Sequence, residues 1–179
     1  MENVIYRMSL LDIPYEVLES RIAKSVCNVC ETMVGEKCLF TGSEDLSKTQ
    51  ISTPGFGDDA EGGLFVGSVG FVGEINGVVY LFFNPSLIEK IATRITSEAT
   101  AHSVPDMAFD VCGELANVVG GGFKGSLEEL GHKSKLTIPM SLFGEELFMS
   151  TMGVKQYVRA EFTLFGERFV VDSALAELI

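Results

Sequence analysis

Two segments of this chain read alike. Ser25-Val-Cys-Asn-Val-Cys-Glu-Thr-Met-Val-Gly35 aligns without gaps with Asp110-Val-Cys-Gly-Glu-Leu-Ala-Asn-Val-Val-Gly120, with identity at Val26/Val111, Cys27/Cys112, Val34/Val119 and Gly35/Gly120. A second pair, Phe71-Val-Gly-Glu74 and Leu164-Phe-Gly-Glu167, follows in the same order, each between two apolar runs. Matches repeated in one order point to a duplicated unit of a helix followed by strands. The first copy spans about residues 14–83 and the second about 104–172, inside a single domain over 1–179.

Periodicity fills in that frame. Val17, Leu18, Ile22, Val26, Val29, Met33 and Val34 recur at helical spacing and predict a first long helix from Pro14 to Glu36. Thr41–Gly63 is rich in Ser, Thr, Gly and Asp and reads as a loop or a ragged edge strand. Leu64–Val72 and Val78–Phe83 read as a hairpin about Gly73-Glu-Ile-Asn-Gly77, with Asn76-Gly77 as the turn signal. A shorter helix is expected over Pro85–Glu98. The second long helix starts at Val104, where Ser103-x-x-Asp106 resembles a capping box and Pro105 suits a first turn. It runs past Gly120–Gly122 to Leu130-Gly131, although three glycines, at about 1 kcal/mol each relative to Ala, leave a break possible there. Strands follow at Lys135–Phe143, Leu147–Thr151, Gln156–Phe165 and Arg168–Val171. The expected fold is α+β, two long helices packed on an antiparallel sheet.

Composition removes several classes of function. The formal charge is −12, from 13 basic and 25 acidic residues, so nucleic acid is not an expected partner. No apolar run approaches the ~20 residues that cross a bilayer. The start, Met1-Glu2-Asn3, has no basic region leading into an apolar one, and the cytoplasm is the expected compartment. Cys27-x-x-Cys30 is half a zinc-site spacing without a second pair, so Cys27, Cys30, Cys38 and Cys112 are expected to be buried thiols, and no metal site is assigned. Asp58, Asp59 and Glu61 are expected to form a solvated acidic loop in preference to a cation site. Two histidines, with no Gly-x-Ser-x-Gly or His-Glu-x-x-His pattern, leave little for a triad or a metallohydrolase. Gly120–Gly125 with Lys124 lacks the spacing of a phosphate-binding loop and follows a helix where that loop needs a strand.

The chemistry is concentrated on the second long helix. With Asp110 at zero and about 100° per residue, Glu114 falls at about +40°, Asn117 at about −20° and Gly121 at about +20°. Phe109, Val111, Leu115, Val118, Val119 and Phe123 occupy the opposite arc. A solvated face would account for Asp110 or Glu114 taken singly. Asn117 is a mediocre helix-interior residue, and Gly121 beside it leaves room for something large. Taken from the residues alone, the stripe is a binding surface.

The spacing Asp-x-x-x-Glu-x-x-Asn-x-x-x-Gly, met by Asp110, Glu114, Asn117 and Gly121, resembles the signature of the CheC/CheX chemotaxis phosphatases. Gly73-Glu-Ile-Asn-Gly77 before Val78–Phe83 is similar to that family's first hairpin, and Leu136-Thr-Ile-Pro139 to its strand after the signature helix. The resemblance covers about Leu64–Val171, with Pro14–Glu36 as the first helix. It implies hydrolysis of the phospho-aspartate of a CheY-like response regulator. Asn117 would position the attacking water and Glu114 would pair with the regulator's active-site lysine, while Asp110 and Gly121 meet the partner. The regulator supplies Mg²⁺, and this chain binds no cofactor of its own. Val29 stands opposite Glu114 and Thr32 opposite Asn117, so one site per chain is expected. That resembles the single-site, homodimeric CheX branch. A non-catalytic regulator-binding or flagellar-switch module of the same fold is the alternative.

Overall fold

A computed structural model describes residues 13–49, 51–56, 62–96, 104–145, 147, 149 and 153–177. Helix α1 (Tyr15–Val29) buries Leu18, Ile22, Val26 and Val29, four positions that recur on one face. It continues as a π-helical turn, Cys30–Val34, closed by Gly35 at φ 72° with Glu36 N–H donating to Cys30 O. The first long helix of the sequence is therefore present, and its end is set by a residue free to take positive φ. Strand β1 (Leu39–Asp45) follows, then β2 (Leu64–Gly73) and β3 (Ile75–Phe83), helix α2 (Pro85–Thr96) and helix α3 (Val104–Glu128). Strands β4 (Ser134–Leu136), β5 (Met140–Gly144), β6 (Gln156–Leu164) and β7 (Glu167–Glu177) complete the chain.

All strand pairs are antiparallel, in the order β1-β6-β7-β3-β2-β4, with β5 beside β4 on the same outer side of β2. The helices cover one face. Phe65, Phe71, Val79, Leu81, Phe83, Phe162 and Phe169 point into them and form the main core with α1, α2 and α3. On the opposite face Asp172, fully buried, accepts from Tyr157 Oη at 2.6 Å and from Arg159 Nε at 2.9 Å, and Arg159 also donates to Ser52 O. That network ties the 51–56 loop to β6 and β7.

The expectations are refined in detail. Two long helices become α1 with its π turn and α3, with α2 as a third. The β2–β3 turn is centred on Glu74, and Asn76 and Gly77 lie inside β3, Gly77 paired with Phe71. Asn76 has ordinary negative φ, and Gly77 is required because the Phe71 ring lies where its side chain would go. The run Lys135–Phe143 is two short strands, because Thr137–Pro139 leaves the ladder. Thr137 bridges the gap through its N–H to Gly70 O at 2.8 Å and its hydroxyl to Gly70 N–H. Thr41–Gly63 begins as the edge strand β1, bulged between Phe40 and Gly42, and its further described residues, 46–49, 51–56 and 62–63, are loop. Of Leu147–Thr151, Leu147 and Met149 pack against Phe56, Leu64, Val66, Phe82 and Val170 without strand pairing, and the rest lies outside the described residues. Ser103, Asp58, Asp59 and Glu61 also lie outside them.

Candidate functional site

Helix α3 runs without a break through Gly120–Gly122. Two of those glycines are needed for packing. A Cβ on Gly120 would collide with Val69 of β2, and one on Gly122 would collide with Ser25 of α1. A third close approach, Gly67 of β2 under the Cys112 carbonyl, brings the helix backbone onto the sheet. The glycine cost in helix propensity is offset by this seating of α3.

The same contacts fix the outward stripe. Asp110 and Glu114 are exposed, and Asn117 and Gly121 are half-buried along one edge of α3. Hydrogen bonds brace the helix on either side: Ser141 Oγ of β5 donates to Phe109 O at 2.7 Å, and Ser25 Oγ of α1 donates to Val119 O at 2.7 Å. Among the described residues, Asp110, Glu114 and Asn117 make no side-chain hydrogen bond or ion pair. The structure thus brings all four expected residues together on a rigid support. Their polar atoms remain available to a partner.

Two surfaces flank the stripe, and neither was legible in the sequence. On one side Leu136 reaches Gly121, its Cδ1 3.6 Å from where a Cβ would stand, and Ile138 beyond it is 85% exposed. On the other side a groove of about 870 Å³ separates α3 from α1. Helix α1 runs antiparallel to α3, since Arg21 donates to Ser126 O at 2.7 Å while Ser25 reaches Val119. Lys24 and Asn28 of α1 face Gly121 and Gly125 of α3 across this groove. Such a surface depends on how two helices face each other, and α1's own periodicity reveals only its buried side.

The cysteines are free thiols. Burial pushes Cys112 up to about 12, and Cys27 likewise, with Cys38 3.4 Å away adding to the effect. Hydrogen bonding with Cys30 raises Cys38 above the ordinary thiol range, with burial acting in the same direction. These are protonated groups at neutral pH and poor nucleophiles. Among the described residues no group of three or more His, Cys, Asp or Glu is placed to hold a metal ion. No helix among them is long and apolar enough to cross a membrane.

The class of structure so defined is an α+β domain whose braced helix presents an acid and an amide along one edge. The family model described as chemotaxis phosphatase CheX matches residues 65–163, more than half of the chain and the whole of α3. The chain belongs to the CheX family. Among solved structures it is similar to a putative chemotaxis protein from Desulfovibrio vulgaris Hildenborough, with TM-score 0.74, 20% identity and coverage of 93% of this chain and 99% of that one. It is also similar to the chemotaxis protein CheX of Desulfovibrio desulfuricans, with TM-score 0.73, 17% identity and coverage of 88% and 98%. A third is a chain of the CheX–CheY–BeF3–Mg²⁺ complex from Borrelia burgdorferi, with TM-score 0.67, 17% identity and coverage of 88% and 97%. At these identities the likeness shows a shared fold. No curated protein matches the sequence.

Proposed function

We propose that this protein is a phosphatase for the phospho-aspartate of a CheY-like response regulator, acting from the cytoplasm in chemotaxis or a related two-component pathway. The observation that carries the reading is the unpartnered pair Glu114 and Asn117 on the exposed edge of α3, within the span that matches the family. Asn117 orients a water for in-line attack on the acyl phosphate through its amide. Ordering the nucleophile in this way accounts for much of what a protein contributes to phosphoryl transfer. Glu114 pairs with the regulator's active-site lysine and sets the docking register by a charge-assisted hydrogen bond. Asp110 meets the partner at the near end of the stripe, and Gly121 gives clearance at the far end. Mg²⁺ arrives with the regulator.

The reading extends to one site per chain. Val29 of α1 and Thr32 of the π turn after it stand opposite Glu114 and Asn117 in a duplicated fold and replace neither. Exchanging β1, β2 and β3 with β5, β6 and β7 leaves the strand order unchanged, which supports the duplication. A homodimer is part of the proposal, built on the outer edge of β4 and β5, where Ile138, Met140 and Phe143 are exposed.

Phosphate loss from phosphorylated CheY-like regulators of the same genome, followed with wild type, Glu114→Ala and Asn117→Ala, tests the activity. Acceleration by wild type that is lost in Asn117→Ala is the expected result, with a fall of about 100-fold or more for removal of a water-positioning group. A wild type that binds a regulator without speeding its dephosphorylation would replace the enzyme by a binding module.

A further inference from the structure

Four glycines lie close together on α3, and they divide into two kinds. Gly120 and Gly122 are required by Val69 and Ser25. Gly121 and Gly125 are not. A Cβ on Gly125 would meet nothing within 4 Å, one on Gly121 would make only the ordinary contact with Leu136, and neither glycine has positive φ. Each still weakens the helix by about 1 kcal/mol relative to Ala. The chain gains nothing internal from either, and both line the groove facing α1.

The groove has mixed polar and apolar walls and is continuous with the stripe, since Gly121 belongs to both. Transient protein interfaces mix polar and apolar surface, and this open trough does so, with Glu16, Ser20, Lys24 and Asn28 of α1 opposite the glycines. Its charge also departs from the rest of the molecule. In a chain of net charge −12, the charged residues at the groove's walls balance, Glu16 and Glu129 against Arg21 and Lys24, and Lys24 has no ion pair to any described residue while Arg21 is held by Glu129 at 2.9 Å. An anionic phosphorylated partner is repelled by the molecule as a whole and least so at this charge-balanced groove.

We infer that the groove between α1 and α3 receives the segment of the regulator beside its phospho-aspartate, with Lys24 and Asn28 determining which regulator is accepted. The inference rests on the proposed function and adds to it the surface that selects the substrate. Chemistry stays with Glu114 and Asn117, and selection falls to a helix that carries no catalytic pair. Gly125 keeps the trough deep enough for the partner to seat.

The test fills the groove without disturbing the core. Gly125→Leu is compared with wild type and Asn117→Ala in binding to CheY-like regulators loaded with beryllofluoride and in turnover of the phosphorylated forms. The expected result is a melting temperature at or above that of wild type, a Kd and KM raised by about ten-fold or more, and a kcat little changed. Lys24→Glu, a surface change that does not depend on packing, is expected to slow association, with the defect shrinking as salt is added. If both variants bind and turn over like wild type, the groove is not the docking site and the phosphatase assignment stands. If wild type neither binds nor dephosphorylates any regulator, the assignment falls and the groove inference falls with it.

Discussion

An asparagine in the middle of a 25-residue helix, bonded to no described residue, weakens that helix for no local return, which is what the role proposed for Asn117 requires. Asn117→Ala should therefore raise stability, by roughly 0.5 kcal/mol in thermal or urea unfolding, in the same protein that loses phosphatase activity. Arg159 is the opposite case. It is almost wholly buried against Asp172, so Arg159→Ala should cost about 3–5 kcal/mol, measured by urea denaturation, because it strands a carboxylate in the interior. The two sites also differ in how far the sequence disclosed them. Glu114 and Asn117 could be placed on one edge from helical spacing alone. Arg159 and Asp172 meet only through the β6–β7 register, in which they are directly paired, and no local pattern announces that pairing.

Elements were legible where their pattern is local. Helix α1, α3 and the β2–β3 hairpin carry clear periodicity, and the structure places them within a few residues of expectation. The turn between β2 and β3 was misplaced because Asn-Gly signals positive φ only when nothing else demands the glycine, and here the Phe71 ring does. For α3 the prediction concerns Gly120: adding a methyl against Val69 should destabilise Gly120→Ala by about 1–3 kcal/mol in chemical unfolding, while Gly125→Ala gains up to about 1 kcal/mol. For the β6–β7 pair it concerns acid. The hydrogen bond from Arg168 holds the Glu161 carboxyl below its ordinary 4.5. Burial works against Glu167, yet hydrogen bonds from Lys90, Asn84 and Ser86 outweigh it and lower that group as well. Groups lowered on folding stabilise fully above their unfolded value, and that contribution fades as the pH falls below it through the folded value. Unfolding midpoints across an acid series should drop in that range, and Arg168→Met should flatten the drop.

The whole molecule presents an outer edge that is both unpaired and apolar. Met140 of β5 is 63% exposed and Ile138, just before that strand, more so, and among the described residues the far side of β5 has no hydrogen-bonding neighbour. Bare edges of this kind invite pairing with another chain. Light scattering is expected to give twice the chain mass, and the double change Ile138→Asp and Met140→Asp to give the single-chain mass with helix content intact.

The strand order carries a consequence for synthesis. Strand β1 is made early, but its one neighbour in the sheet is β6, whose paired residues run from Val158 to Thr163. Strand β3 likewise waits on its outer side for β7, the last strand of the chain. A ribosome that has released α1 through α2 has thus produced a sheet with two unsatisfied margins and a helix layer lacking α3. Closing such distant pairings is slow, and the exposed intermediates aggregate readily. The two halves are therefore expected to fold together, once β6 and β7 have been made.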